Sequence, residues 1–118
     1  TSATGITVTG TIANISTAKV WVNFNGTGTV AIGDSHNVSS ITDNAAGDYT
    51  INFTTSLAND TYSATGMSGN LGHNSNASII VIDDDVTVPT TSALRVRNVA
   101  DNGAYIDANR NMVQIFGD

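Results

Sequence analysis

Apolar and polar side chains alternate along most of this chain, and the alternation predicts β-strands. In the segment Lys19–Asn25, the side chains of Val20, Val22 and Phe24 fall on one face, while Trp21 falls on the other. A period of two residues is typical of a strand that buries one face and exposes the other. We therefore expect Trp21, the only tryptophan, to point away from the core.

Residues that favour turns divide the rest of the chain into further short strands. Asn25-Gly26 predicts a hairpin, because both residue types tolerate a positive φ, and Asp43–Asp48 predicts a turn. Turn signals recur about every eight to twelve residues, which is typical of a sandwich or barrel. The predicted strands are Gly5–Ile12, Lys19–Asn25, Thr29–Ile32, His36–Ser40 with Ser40–Thr42 (a short strand or an extended link), Asp48–Thr54, Tyr62–Gly69, Ser78–Val88, Ser92–Val99, Tyr105–Asp107 and Asn111–Phe116.

Three of these segments carry a more specific prediction. The strands Asp48–Thr54 and Tyr62–Gly69 are separated by SLANDT and are expected to form a hairpin. The uninterrupted apolar run Ile79–Ile82 favours burial on both faces. Asn111–Phe116 alternates and ends two residues before the C-terminus, so we expect the last strand to be part of the sheet.

Composition favours strands over helices. The chain has 118 residues, with 11 Ile and 11 Val but only 3 Leu, a single Lys and no Glu. The best helix formers are therefore scarce, whereas β-branched residues suit strands. We predict one all-β domain over residues 1–118, an antiparallel β-sandwich or flattened barrel of about eight or nine strands. The chain begins TSATG without Met, and we interpret it as a fragment of a longer polypeptide.

Charge and cysteine content argue against several classes of partner. The net charge of −6 and the absence of a basic cluster argue against binding to nucleic acid. The chain contains no Cys, which excludes disulfides and thiolate metal sites. Its longest wholly apolar run has four residues, Ile79–Ile82, so insertion into a membrane is not expected.

Three segments together resemble a domain found at the C-terminal, distal end of bacteriophage tail fibre proteins. They are KVWVNFNGTGTV, SSITDNAAGDYTINFTTSLANDTYSATGMSG, and SALRVRNV with NMVQIFGD. In that family a Trp-Val-Asn-Phe-Asn-Gly strand precedes a D-x-G-D/T-Y-T-x-x-F-T hairpin. The resemblance is good over residues 18–69 and loose over 92–118. The segments GNLGHNSNA and IIVIDDDVT depart from the family pattern.

The resemblance implies a function and a set of partners. Domains of this family are non-enzymatic parts of the virion, mostly homotrimers joined to a fibre shaft, and they face the host cell from outside. Related fibres recognise surface glycans or outer-membrane proteins. The resemblance thus implies host attachment and fibre assembly in an extracellular virion protein without a cofactor. A bacterial surface adhesin or a carbohydrate-binding β-module is the alternative, and a polysaccharide-cleaving domain is a third.

Two places are candidate receptor-binding sites. Trp21 could stack against a sugar ring, although a subunit interface or a second core layer uses a large indole equally well. The polar loop Met67–Ala77 contains Asn70, His73, Asn74 and Asn76. Long polar loops on a rigid sheet often serve recognition, while an ordinary solvated loop is the alternative.

The remaining polar clusters favour structural roles. Asp83-Asp84-Asp85 suggests Ca²⁺, but strand alternation separates the middle carboxylate from the other two, so a solvated, charged strand edge is the simpler interpretation. His36 and His73 lack the spacing of metal ligands, and no metal site is predicted. Arg95 and Arg97 share one strand face, and Arg110 lies further on. An anionic sugar could bind to them, but pairing with Asp is the expected role. With no Glu, no Cys and no G-x-S-x-G motif, no catalytic residue is predicted.

Overall fold

The computed structural model describes residues 5, 9–10, 17–69 and 77–118, and in these ranges the regular structure is entirely β. Two four-stranded antiparallel sheets face each other, which confirms the all-β prediction and is consistent with a sandwich. The predicted strand Gly5–Ile12 lies for the most part outside the described residues. The eight strands are β1 Val20–Asn25, β2 Ala31–His36, β3 Val38–Ala45, β4 Asp48–Phe53, β5 Ser63–Gly69, β6 Ser78–Ile82, β7 Ala93–Ala100 and β8 Arg110–Phe116.

The first sheet has the strand order β2-β1-β8-β5, with β1 and β8 at its centre. The predicted alternation of β1 is confirmed, because Val20, Val22 and Phe24 are buried while Trp21 is only half-buried. Val22 lies opposite Val113 of β8. The prediction that the last strand is part of a sheet is therefore confirmed, and removing it would take away a central strand.

The second sheet has the order β3-β4-β7-β6 and faces the first through its own alternating residues. Tyr49, Ile51 and Phe53 of β4 are buried, together with Leu94 and Val96 of β7. These side chains join those of β1 and β8 in one core cluster. The core is therefore built from four central strands, two from each sheet.

One predicted hairpin is wrong. β1 and β2 pair as expected, but β4 and β5 belong to different sheets, and β5 pairs with β8. The connection between β4 and β5 crosses the sandwich because Leu57 and Tyr62 pack against the core. Its backbone is held there by the hydrogen bond from Leu57 N to Thr91 O, at 2.9 Å. Alternation shows which residues are buried but does not choose between the two sheets.

The prediction that Ile79–Ile82 is buried on both faces is also wrong. β6 is an edge strand paired with β7, and Ile79 is 62% exposed. The strand ends at Ile82 instead of Val88, because Asp83 O accepts a hydrogen bond from Thr87 N at 3.0 Å and closes a turn. An apolar run of four residues cannot distinguish a covered strand from an edge strand.

Two shorter predictions also need correction. β3 extends to Ala45, so the predicted turn over Asp43–Asp48 shrinks to Ala46-Gly47. The predicted strand Tyr105–Asp107 is reduced to an isolated bridge between Tyr105 and Val99.

The connections between strands are sorted to the two ends of the sandwich. The β1–β2, β3–β4, β5–β6 and β7–β8 connections leave from one end, which we call the loop end. β1 begins and β8 ends at the opposite end, because the two strands are antiparallel neighbours, with Val20 opposite Ile115. At this opposite end Asn37 joins β2 to β3 with φ 58°. Its side chain accepts a hydrogen bond from Thr55 N at 2.7 Å and so offsets the strained backbone.

Tyr49 links the two sheets at the loop end. It is 1% exposed, and its hydroxyl contacts Gly26 O of the first sheet at 3.1 Å and Asp107 Oδ1 at 2.5 Å. The same carboxylate oxygen accepts a hydrogen bond from Gly47 N at 2.8 Å. A Cβ atom at Gly26 would collide with the Tyr49 hydroxyl, so glycine is required at that position.

A second buried polar pair joins the sheets beside Tyr49. Asn98 of β7 donates from Nδ2 to Asn111 Oδ1 of β8 at 2.7 Å, and both residues are 1% exposed. Asn111 in turn donates to Ala108 O at 3.0 Å, in the β7–β8 connection. We call Tyr49, Asp107, Asn98 and Asn111 the polar closure. Asn98 Oδ1 is buried without a hydrogen-bond partner among the described residues. The hydrogen bonds that are made are directional, so they fix the relative position of two layers, which apolar contacts alone do not.

Replacing Tyr49 with Phe tests the polar closure. The variant leaves Gly26 O and Asp107 without the phenol, so we expect the free energy of unfolding at neutral pH to fall by about 1–3 kcal/mol. Urea denaturation followed by circular dichroism measures the change. Tyr105→Phe, at a residue that is 48% exposed, is the control and should change stability by less than about 0.5 kcal/mol. Equal effects of the two substitutions would contradict this role of Tyr49.

The pH dependence of stability provides a second readout of the same variant. Burial, aided by the hydrogen bond to Asp107, raises the pKa of Tyr49 above its ordinary value, and burial raises the pKa of Tyr62 to about 12. Above pH of about 10 the unfolded chain loses these protons while the folded chain keeps them, so stability falls as pH rises. Tyr49→Phe should flatten this decline, and an unchanged slope would contradict the assignment.

Candidate functional site

Trp21 lies on the outer face of the first sheet, as the sequence predicts. It pairs with His36 of β2 on one side and with Gln114 of β8 on the other. Its side chain is half-buried, although it faces away from the core. The position leaves both interpretations open, a platform for a sugar or part of an interface between subunits.

Other large apolar side chains lie on this same outer face. Met67 of β5 lies opposite Met112 of β8, and Met67 is 68% exposed. Phe116, two positions beyond Gln114, is also exposed. A shallow hollow lies between β5 and β8, and its lining includes both methionines. We call Trp21, Met67, Met112 and Phe116 the apolar face.

The predicted loop residues Asn70, His73, Asn74 and Asn76 lie outside the described residues. The strands on either side are described, and Ser68 Oγ contacts Ser78 Oγ at 2.6 Å where they meet. This contact is at the loop end, whereas Trp21 lies in the row of Thr65, about 10 Å away along β5. Trp21 is therefore three rows away from the contact between Ser68 and Ser78.

The outer face of the second sheet carries a network of charges. Asp48 Oδ2 accepts a hydrogen bond from Arg95 Nη2 at 2.7 Å, and Asp48 Oδ1 accepts one from Arg95 Nε at 2.8 Å. Arg97 Nη2 lies 2.7 Å from Asp83 Oδ2. The expectation that Arg95 and Arg97 share one face and pair with Asp is confirmed. Arg95 pairs with Asp48, and Arg97 pairs with Asp83.

Asp83 differs from its prediction. It is 8% exposed instead of solvated, because the turn that follows β6 folds it against Arg97. The contact with Arg97 is short but lacks the alignment of a hydrogen bond. Among the described residues, Asp83 Oδ2 and Arg97 Nε therefore have no hydrogen-bond partner. Asp84 and Asp85 follow in the turn and are exposed, as a charged edge requires.

Tyr105 completes this surface. The bridge to Val99 places it beside β7, and the Arg97 guanidinium carbon lies 4.5 Å from the centre of its ring. A half-open cleft of about 280 Å³ lies between Tyr105 and the Asp83–Asp85 turn. Its remaining lining residues are Val81, Ile82, Arg97 and Val99. We call it the Tyr105 cleft.

The described residues form no cluster of metal ligands. In the ranges 17–69 and 77–118, together with the isolated residues at 5 and 9–10, no three His, Cys, Asp or Glu side chains cluster as metal ligands do. Asp48 and Asp83 are both paired with arginine. A cation–π contact, ion pairs and exposed carboxylates are the polar features of this second face.

Sequence reasoning missed the Tyr105 cleft and most of the apolar face. The alternation of Asn111–Phe116 did contain a signal, since Met112, Gln114 and Phe116 fall on the face opposite Val113 and Ile115. Tyr105 carried no such signal, because its position depends on a single bridge to β7.

Comparison of the chain with protein-family models, with curated proteins and with solved structures finds no match in any of the three. Within the described part of the chain, no helix is long and apolar enough to cross a membrane. The functional interpretation therefore depends on the surfaces themselves.

Replacing Asp48 with Asn tests the charge network. The hydrogen bond from Arg95 lowers the pKa of Asp48 below its ordinary value of 3.8. Its stabilising effect is therefore present above that pH and is lost as the pH falls below it. At neutral pH, Asp48→Asn should lower the free energy of unfolding by about 2 kcal/mol.

Chemical denaturation at neutral pH and near pH 2 measures this difference. We expect the difference between wild type and Asp48→Asn to shrink at the lower pH, because protonation of the carboxylate weakens its pairing with Arg95. The matched control is Asp34→Asn on the exposed edge strand β2, where the carboxylate accepts a hydrogen bond from the adjacent Ser35 N. A difference that persists unchanged at the lower pH would contradict the ionic origin of the effect.

Proposed function

We propose that this domain is a non-enzymatic, extracellular part of a bacteriophage tail fibre. In this proposal it forms a homotrimer at the distal end of the fibre shaft and attaches the virion to a glycan or an outer-membrane protein of the host. The observation that carries the proposal is the apolar face of an otherwise polar and acidic domain. The resemblance of residues 18–69 to tail fibre domains provides the family context.

The apolar face supports assembly. Exposed apolar patches on soluble domains commonly mark interaction surfaces. The three strands that form this face, β1, β5 and β8, contain no Asp, although the chain has ten. Copies with a net charge of −6 repel one another, so contact is easiest where carboxylates are missing. A second and a third copy are therefore suitable partners for this face.

The sorting of the connections supports attachment. The start of β1 and the end of β8 lie at one end of the sandwich, and the loop end is opposite. A shaft joined at the first of these ends leaves the loop end free to meet a cell. The β5–β6 connection, which contains the candidate residues Asn70, His73, Asn74 and Asn76, leaves from the loop end.

A carbohydrate-binding module or adhesin of a bacterial surface is the second candidate. The Tyr105 cleft favours it, because an exposed aromatic ring beside carboxylates suits sugar recognition. Such a module needs no threefold assembly. The oligomeric state therefore separates the two candidates.

Sedimentation velocity tests the assembly. We expect a trimer at micromolar concentration, and we expect the double variant Met67→Ser, Phe116→Ser to shift toward monomer because it removes apolar area from the proposed interface. Ile79→Ser is the matched control, since Ile79 is similarly exposed but lies on the second sheet. A wild-type monomer, or a double variant that stays fully trimeric, would contradict the proposed interface.

Binding of the labelled domain to a panel of bacterial strains tests attachment. We expect binding to some strains, and we expect replacement of residues 70–76 by a short turn to weaken it while the trimer persists. The trimer control separates loss of the receptor surface from loss of the fold. Unchanged binding would show that the receptor-binding surface lies outside the β5–β6 connection. Binding to no strain would count against attachment.

A further inference from the structure

Asp83 and Arg97 line the Tyr105 cleft and form an ion pair, with Arg97 Nη2 2.7 Å from Asp83 Oδ2. Asp83 Oδ2 and Arg97 Nε are buried and have no hydrogen-bond partner among the described residues. Asp83 is 8% exposed.

Tyr105 provides a fixed aromatic surface at this cleft. One face of its ring meets the Arg97 guanidinium at 4.5 Å, and the bridge to Val99 holds its backbone against β7. Tyr105 is nevertheless 48% exposed, so a ligand can reach it. Val81 and Val99 add an apolar wall beside it. A ring beside an apolar wall suits a ligand with an apolar C–H face.

The charges at the cleft select against anions. Four carboxylates, Asp48, Asp83, Asp84 and Asp85, lie in the network or its turn, against the two arginines. Each arginine is already paired with a carboxylate, whereas Asp84 and Asp85 are exposed acceptors. Carboxylates accept hydrogen bonds from hydroxyl groups, and these bonds are stronger than those between neutral groups. The arginines beside Asp83 also disfavour a metal ion.

We propose that the Tyr105 cleft binds one ring of an uncharged saccharide. The sugar places its C–H face on Tyr105 and its hydroxyl groups toward Asp84 and Asp85. The cleft volume of about 280 Å³ is near the lower limit of small-molecule pockets, roughly 300–1,000 Å³, and favours a single ring. The inference rests on the proposed attachment function and names its ligand class, and it places that ligand outside the β5–β6 connection.

Nuclear magnetic resonance titration of the intact domain tests this site. The probes are galactose, glucose, mannose and N-acetylglucosamine, with glucuronate and N-acetylneuraminate as anionic comparisons and CaCl₂ and a short oligolysine peptide as cationic ones. We expect an uncharged sugar to shift backbone signals of residues 81–85, 97–99 and 105, with weaker or no shifts from the anions.

Substitutions at Tyr105 and in the turn separate the two contributions to binding. Tyr105→Ala should weaken the sugar affinity about tenfold or more, whereas Tyr105→Phe keeps the ring and should stay near wild type. Asp84→Asn with Asp85→Asn should weaken it by a smaller factor and reduce discrimination against the anionic sugars. Unfolding temperatures near that of wild type show that each variant is folded.

Several outcomes would overturn the proposal. They are no shift at the cleft with any uncharged sugar, equal affinity in Tyr105→Ala, stronger binding of the anionic sugars, or shifts at Asp84 and Asp85 with Ca²⁺ or oligolysine alone. The cell assay distinguishes this failure from failure of attachment. If Tyr105→Ala binds bacteria as well as wild type does, attachment stands and the saccharide site at this cleft is refuted.

Discussion

The hydrogen bonds of the polar closure determine how the two sheets meet. A thin apolar core attracts two sheets but tolerates sliding between them, because apolar attraction has no direction. The Tyr49 hydroxyl contacts Gly26 O of the first sheet, and Asn98 of β7 donates to Asn111 of β8. These bonds are lost if either sheet moves. They lie at the loop end, where four of the connections between strands leave the sandwich.

The polar closure lies between the two sheets, so the outer faces of the sheets can carry different side chains. The first sheet presents apolar side chains without carboxylates, and the second presents paired charges with an exposed tyrosine. An apolar face without carboxylates suits contact with identical copies. A face with paired charges and an exposed tyrosine suits a polar ligand. In the proposed assembly, the first sheet would be covered while the second sheet and the loop end remain exposed. One small domain can therefore serve both assembly and attachment.

The sequence predicted what depends on local pattern. Alternation located β1, β4, β7 and β8 and the direction of Trp21, and the alternating Arg95 and Arg97 correctly indicated pairing with Asp. These features can be inferred from the two-residue period of the strands and from the excess of Asp over Lys and Arg.

What depends on distant contacts was not predictable. The assignment of β5 to the first sheet follows from its pairing with β8, nearly fifty residues further along the chain. The exposure of Ile79 follows from the edge position of β6, and the Tyr105 cleft depends on one bridge to β7. Burial of Asp83 depends on the turn that folds it against Arg97. In each case the local residues allowed two arrangements, and the tertiary partner decided between them.

Native-state hydrogen exchange tests most directly whether the polar closure holds the sheets together at the loop end. The decisive amides are those of Gly26, Gly47, Asn98 and Ile106, which lie at the ends of strands or in connections but donate to backbone or carboxylate oxygens. Our account predicts that they exchange only with global unfolding, as slowly as the amides of Val22 and Val113 in the core. Exchange at rates typical of fraying loops would contradict it.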